Sequence, residues 1–149
     1  WRSLTEFSEE GLIQPALIRL DQSKLVMFLR PVREPALIFR SASADNGRCW
    51  SQCMPTSLPC PLSALAALKI GRKLLLFYNH APERNRYPLS VASSFDDGVS
   101  WSEPTHIDTT THEVSYPSFV FDGRATILGA YTYNRRMIKF VELSTDEVP

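Results

Sequence analysis

An eight-residue pattern occurs twice in this chain, and no other feature constrains the fold as much. Ser43-Ala-Asp45-Asn-Gly47-Arg-Cys-Trp50 recurs as Ser94-Phe-Asp96-Asp-Gly98-Val-Ser-Trp101, an offset of 51 residues. Self-similarity at a fixed period of this length marks a repeat architecture, in which each copy is one unit that stacks on the next. The residues of the pattern are those of a turn. Glycine takes the positive φ that a tight hairpin needs. Ser43, Asp45, Ser94 and Asp96 carry short polar side chains that can bind nearby backbone amides. Trp50 and Trp101 can pack beneath the loop, with the indole N–H as a polar handle. Turn chemistry accounts for all these positions, so they read as structural rather than catalytic.

Short β-branched and aromatic runs fall between turn signals in groups of three. Strands are expected at 15–20, 25–30 and 37–43, at 64–69, 74–79 and 89–94, and at 118–121, 126–132 and 138–143. Each group opens with an apolar strand and a tight turn: Asp21-Gln22-Ser23, Ile70-Gly71-Arg72 and Asp122-Gly123-Arg124. A very apolar second strand follows, and a looser connection leads to the third. The expected fold class is therefore all-β.

Composition narrows the function. The 149 residues suffice for one domain with a sizeable core, and 44% hydrophobic with 11% aromatic residues argues against disorder. Sixteen Lys+Arg balance sixteen Asp+Glu. That speaks against nucleic acid or a membrane surface held by bulk charge. The longest apolar runs fall far short of the roughly 20 residues of a membrane span. Cys49, Cys53 and Cys60 are odd in number, and their spacing fits no common zinc pattern. They are expected as buried or half-buried free thiols, which favours a reducing, cytoplasmic setting. His80, His106 and His112 have no ligand spacing, so no metal is expected, and His80 or His112 as a general acid lacks a visible orienting partner. Neither a phosphate loop nor a G-x-S-x-G elbow is present, so no cofactor is expected.

The S-x-D-x-G-x-x-W pattern resembles the Asp-box, or BNR repeat, of the sialidase (neuraminidase) superfamily. These are six-bladed β-propellers with four-stranded blades, and the box links the third and fourth strands. The resemblance runs over nearly the whole chain, through Gly11-Leu-Ile-Gln-Pro-Ala-Leu-Ile-Arg-Leu, Arg86-Tyr-Pro-Leu-Ser-Val-Ala-Ser-Ser and Tyr131-Thr-Tyr133-Asn-Arg-Arg-Met-Ile-Lys. It implies a sialidase-like β-propeller of about three four-stranded blades, near 11–60, 61–111 and 112–149, in one partial domain over 1–149. The third copy has no box, and Ser144-Thr-Asp146 stands in its place. Closed propellers have about four to eight blades, so three leave strand edges open. The resemblance is to the C-terminal half of the ring. Either earlier blades precede it or a second copy completes it, and a start at Trp1 rather than Met favours the former.

The resemblance also implies a site. In the family three arginines grip a substrate carboxylate, matching it with a planar fork that Lys lacks. A Tyr nucleophile is activated by a Glu, the exception to two-carboxylate glycosidases. Arg30 falls at the second arginine of the triad and Arg86 at the third, with Arg84 as the alternative. Tyr116, in Ser115-Tyr116-Pro117, resembles the nucleophile. The first arginine and an acid/base Asp belong to earlier blades, so these 149 residues alone are expected to show no turnover. The departure is Gln14 in Ile13-Gln14-Pro15, where the family carries Glu. An amide cannot take the tyrosine proton. Either another carboxylate serves, with Glu113 the candidate, or the site binds sugar without cleaving it. The implied function is a sialidase-like glycoside hydrolase acting on a carboxylate-bearing sugar. The alternative is a non-catalytic carbohydrate-binding or scaffolding propeller.

Overall fold

The computed structural model describes residues 10–149; residues 1–9 of the expected domain lie outside it. Every regular element among the described residues is a strand. The first sheet runs β1 (Leu12–Arg19), β2 (Leu25–Pro31), β3 (Leu37–Ser43) and β4 (Met54–Pro59). The second runs β5 (Ala66–Ile70), β6 (Lys73–Asn79), β7 (Leu89–Ser94) and β8 (Thr105–Asp108). The third holds β9 (Val114–Phe121), β10 (Thr126–Tyr133) and β11 (Met137–Ser144). Each sheet is an antiparallel meander in chain order.

Two packed interfaces join the sheets, and β6 explains both. Its run Leu74-Leu75-Leu76-Phe77-Tyr78 is buried throughout because both faces are covered, as expected of a sandwiched strand. Leu74, Leu76 and Tyr78 join Val26, Phe28 and Ile38 of the first sheet. Leu75 and Phe77 join Val114, Phe119 and Ile127 of the third. Phe77 and Phe119 stack with ring centroids 3.7 Å apart. Gly129 leaves room for this, since a Cβ there would overlap the Phe119 ring. The repeat period is thus the spacing between stacked sheets.

The two eight-residue loops join β3 to β4 and β7 to β8 with one hydrogen-bond network. Ser43 Oγ accepts from the Gly47 amide (2.9 Å), and Asp45 Oδ1 accepts from the Arg48 and Cys49 amides (both 2.9 Å). Ser94 Oγ accepts from Gly98 (2.9 Å), and Asp96 Oδ1 accepts from Val99 (3.1 Å) and Ser100 (2.9 Å). These bonds favour the ionised carboxylates. The Cys49 amide foremost at Asp45, and the Ser100 hydroxyl foremost at Asp96, lower both carboxyls to about 2. A group depressed on folding stabilises above its unfolded value, near 3.8 here, and loses that contribution as pH falls toward 2. The melting temperature is therefore expected to decline between about pH 4 and 2. An Asp45→Asn/Asp96→Asn double variant should melt lower near neutrality and decline less steeply over that window. Equal slopes would show that the loops do not couple to acid unfolding.

Three expectations need correction. Each of the first two sheets has the fourth strand that the family resemblance implies but the strand pattern did not mark, whereas the third sheet has three strands among the described residues and not the expected four. β4 carries Pro55 and Pro59 and pairs only with β3, and an edge strand tolerates the missing N–H groups. β8 has only four residues. Cys53 and Cys60 are buried, but Cys49 is exposed because it rides on the first loop. The Trp101 indole N–H is buried without an acceptor among the described residues, so there the ring acts through packing, edge-on to Phe28 at 5.4 Å.

Candidate functional site

Backbone strain locates the site. Among the described residues, seven non-glycine residues have positive φ. Asn46 and Asp97 belong to the repeated loops. Gln14 (50°), Leu62 (55°), Tyr116 (55°), Asn134 (50°) and Arg135 (51°) do not, and all five surround one cluster of arginines. A left-handed non-glycine residue costs on the order of 1 kcal/mol and concentrates where side chains must be aimed. Gln14 and Tyr116 each sit at a register shift that bulges the first strand of their sheet. Leu62 lies just ahead of β5.

Arg30, the next-to-last residue of β2, is aimed along the head of the first sheet. Its Nε donates to Gln14 Oε1 (2.5 Å) and its Nη1 to the Leu62 carbonyl (2.7 Å). Arg86, ahead of β7, donates from Nη2 to the same carbonyl (3.3 Å). The strained Leu62 therefore places one oxygen between two guanidiniums. Arg86 Nη1 reaches Glu113 Oε1 (3.2 Å) and the Tyr116 hydroxyl (3.4 Å), with the guanidinium 5.7 Å from that ring's centroid. Glu113 Oε1 also accepts from Ser115 Oγ (2.8 Å), and Oε2 accepts from Arg135 Nε (2.8 Å).

The structure thus brings Gln14, Arg30, Arg86, Glu113 and Tyr116 into one chain of contacts. Arg84 is exposed and outside it. The sequence reading missed Arg135 and the Leu62 carbonyl. A signal for the latter existed: Gln14-Pro15 and Tyr116-Pro117 lie 102 residues apart, twice the repeat period, and Leu62-Ser63 falls near the midpoint. In the second sheet Asn79, the last residue of β6, takes the place that Arg30 holds near the end of β2. It ties the strands instead, donating to Val114 O (2.8 Å) and Pro88 O (3.2 Å).

The charges set the chemistry. Three guanidiniums against one carboxylate leave the cluster a net positive charge of two, in a chain whose formal charge is zero. Hydrogen bonding and charge from Arg86 lower the Tyr116 phenol. Burial pushes the Glu113 carboxyl up, but bonds from Arg135 and Ser115 and the charges of both arginines outweigh it, so Glu113 titrates below its ordinary value. The Tyr116 hydroxyl faces Arg86. Elsewhere, Tyr78 OH lies 2.8 Å from His80 Nδ1 and Ser90 Oγ 2.9 Å from His106 Nδ1. No three His, Cys, Asp or Glu side chains among the described residues are grouped to hold a metal ion.

An all-β stack of repeated meanders, with arginines gathered at the heads of the first strands, defines a partial sialidase-like β-propeller. The profile of the BNR repeat-like domain matches residues 1–128, and the chain belongs to that family. No curated protein sequence matches it. Among solved structures, it is similar to the NanB sialidase of Streptococcus pneumoniae (TM-score 0.76, 14% identity, 91% of this chain and 24% of that one). It is also similar to the leech intramolecular trans-sialidase (0.67, 17%, 89% and 23%). The α-L-arabinofuranosidase Arb93a of Fusarium graminearum matches at 0.70 and 15%, over 93% of this chain and 46% of that one. The chain therefore spans a quarter to a half of the proteins it resembles, and at these identities the likeness is one of fold.

Proposed function

We propose that this chain supplies the carboxylate-gripping, tyrosine-bearing part of a sialidase-type glycoside hydrolase that acts on an acidic sugar. The observation that carries the reading is the convergence of Arg30, Arg86 and Tyr116 on strained first-strand heads. Two forks linked through one carbonyl present donors to a planar anion, and the phenol oxygen lies beside them, where a sugar held by its carboxylate places its anomeric carbon. Apolar side chains on the outer faces, Leu17 of β1 and Ile138 and Phe140 of β11, support continuation of the ring through further blades. Those blades carry the remaining catalytic groups in this reading, because Gln14 has no basicity and Glu113 is held ionised between two arginines.

Gln14 and Glu113 also favour a second reading, recognition of the acidic sugar without cleavage. One experiment separates the two. The full-length protein is titrated with N-acetylneuraminic acid and with its methyl ester, then assayed on a fluorogenic glycoside of the acid. The expected result is tighter binding of the acid by at least about tenfold, from loss of a charge-assisted contact in the ester. Turnover should vanish in Tyr116→Phe while acid binding stays within a few-fold. Binding without turnover would establish the second reading. Equal affinity for acid and ester, or turnover of an arabinoside instead, would overturn both.

A further inference from the structure

The β10–β11 hairpin carries a residue that its backbone disfavours. Arg136 N donates to Tyr133 O (3.1 Å), so Asn134 and Arg135 are the central residues of a four-residue turn, and both have positive φ. Turns of that kind take Asn at the first central position and Gly at the second. Asn134 conforms and Arg135 does not. The tip is also held in two places by a single residue: the Asn134 amide donates to Glu113 O (2.7 Å), and Arg135 Nε to Glu113 Oε2 (2.8 Å). Only Nε is used. The two Nη groups make no hydrogen bond among the described residues, and the side chain is 63% exposed. The Arg135 charge also contributes to lowering the Tyr116 phenol, so the guanidinium belongs to the same cluster.

An ion pair whose arginine is 63% exposed is worth at most about 1 kcal/mol, no more than the backbone strain it would have to offset, so Glu113 does not account for a strained arginine in glycine's place. We propose that Arg135 is a ligand-binding residue of this site, presenting its Nη edge to a second acceptor group, a hydroxyl or further acidic group of the acidic sugar, while Arg30 and Arg86 hold the carboxylate. Glu113 is then a positioning residue: one carboxylate fixes Arg86 through Oε1 and Arg135 through Oε2 and sets the distance between the two recognition points. The inference rests on the acidic-sugar reading above and adds to it a specificity residue from a hairpin tip.

The test follows N-acetylneuraminic acid binding to the full-length protein by calorimetry, beside thermal melts. Arg135→Gly restores the residue the turn prefers, so it should melt at the wild-type temperature or about 1–3 °C above it, yet bind about 10- to 100-fold more weakly. Arg136→Ala removes the same charge from the next residue and should bind like the wild type. Glu113→Gln should weaken binding, and combining it with Arg135→Gly should add little, because both changes remove one arrangement. Wild-type affinity in Arg135→Gly overturns the role of Arg135 alone. Equal losses in Arg136→Ala and Arg135→Gly overturn it in favour of diffuse charge. A wild-type protein that binds no acidic sugar overturns the functional reading and this inference together.

Discussion

Gly98→Ala is expected to lower the melting temperature by roughly 10 °C, while Gly123→Ala lowers it by only about 3 °C. The two glycines share a φ of +84°, so alanine meets the same left-handed strain at either, about 1 kcal/mol. Their surroundings differ. A Cβ at Gly123 meets nothing within 4 Å. At Gly98 it would overlap Phe28 Cζ and stand 2.8 Å from Cε1, with Trp101 Cζ2 at 3.3 Å. Phe28 is fully buried in the interface between the first two sheets, edge-on to Trp101, and cannot swing aside. Overpacking of that kind adds about 1–3 kcal/mol. Gly47 has φ +83° and only Leu25 Cδ1 at 3.3 Å, so Gly47→Ala should fall between the two. Thermal melts of the three variants check the order. Indistinguishable values would mean that the second loop does not press on the first sheet.

That contrast marks what the sequence could disclose. The Ser-Asp-Gly-Trp loops are legible because their chemistry is local: Ser94, Asp96 and the amides they bind lie within six residues of one another. The all-β class and the inner strands are legible because burial on both faces leaves a continuous apolar run, as in Leu74–Tyr78. The loop's second task is not legible. Gly98 must be small because of Phe28, 70 residues away, and no local rule reports that contact. β4 and β8 fall below notice because edge strands need neither apolar alternation nor a full set of N–H groups, and Pro55 reads locally as a break. The site divides the same way. Arg30, Arg86, Tyr116 and Gln14 could be singled out by resemblance to a family pattern, and Glu113 as the carboxylate beside Tyr116. Arg135 sits in an ordinary-looking Asn-Arg-Arg run, and only the φ of its turn sets it apart.

Arg86→Ala is expected to weaken acidic-sugar binding by about 100-fold or more, the largest loss of binding of any single change here. Arg30 makes two contacts to protein, to Gln14 and Leu62, but Arg86 is the joint of the whole cluster, bonded to the Leu62 carbonyl, Glu113 and Tyr116. Its removal takes away one fork for the ligand and leaves Glu113, three-quarters buried, with only Arg135 to balance it. The net charge of the site falls from two to one, which cuts attraction for an anion over and above the lost bonds. Arg86→Lys should recover little, because a single ammonium cannot reach the carbonyl, the carboxylate and the phenol from one plane. A spectroscopic reading separates this from general damage. Arg86 is the foremost cause of the lowered Tyr116 phenol, so in Arg86→Ala the tyrosinate of residue 116 should form at higher pH than in the wild type. Tyr116→Phe subtraction isolates that signal, and Tyr78 and Tyr131, both pushed well up by burial, ionise later and do not overlap it. A variant that loses affinity with the Tyr116 titration unmoved would show that Arg86 acts on the ligand but does not touch the phenol.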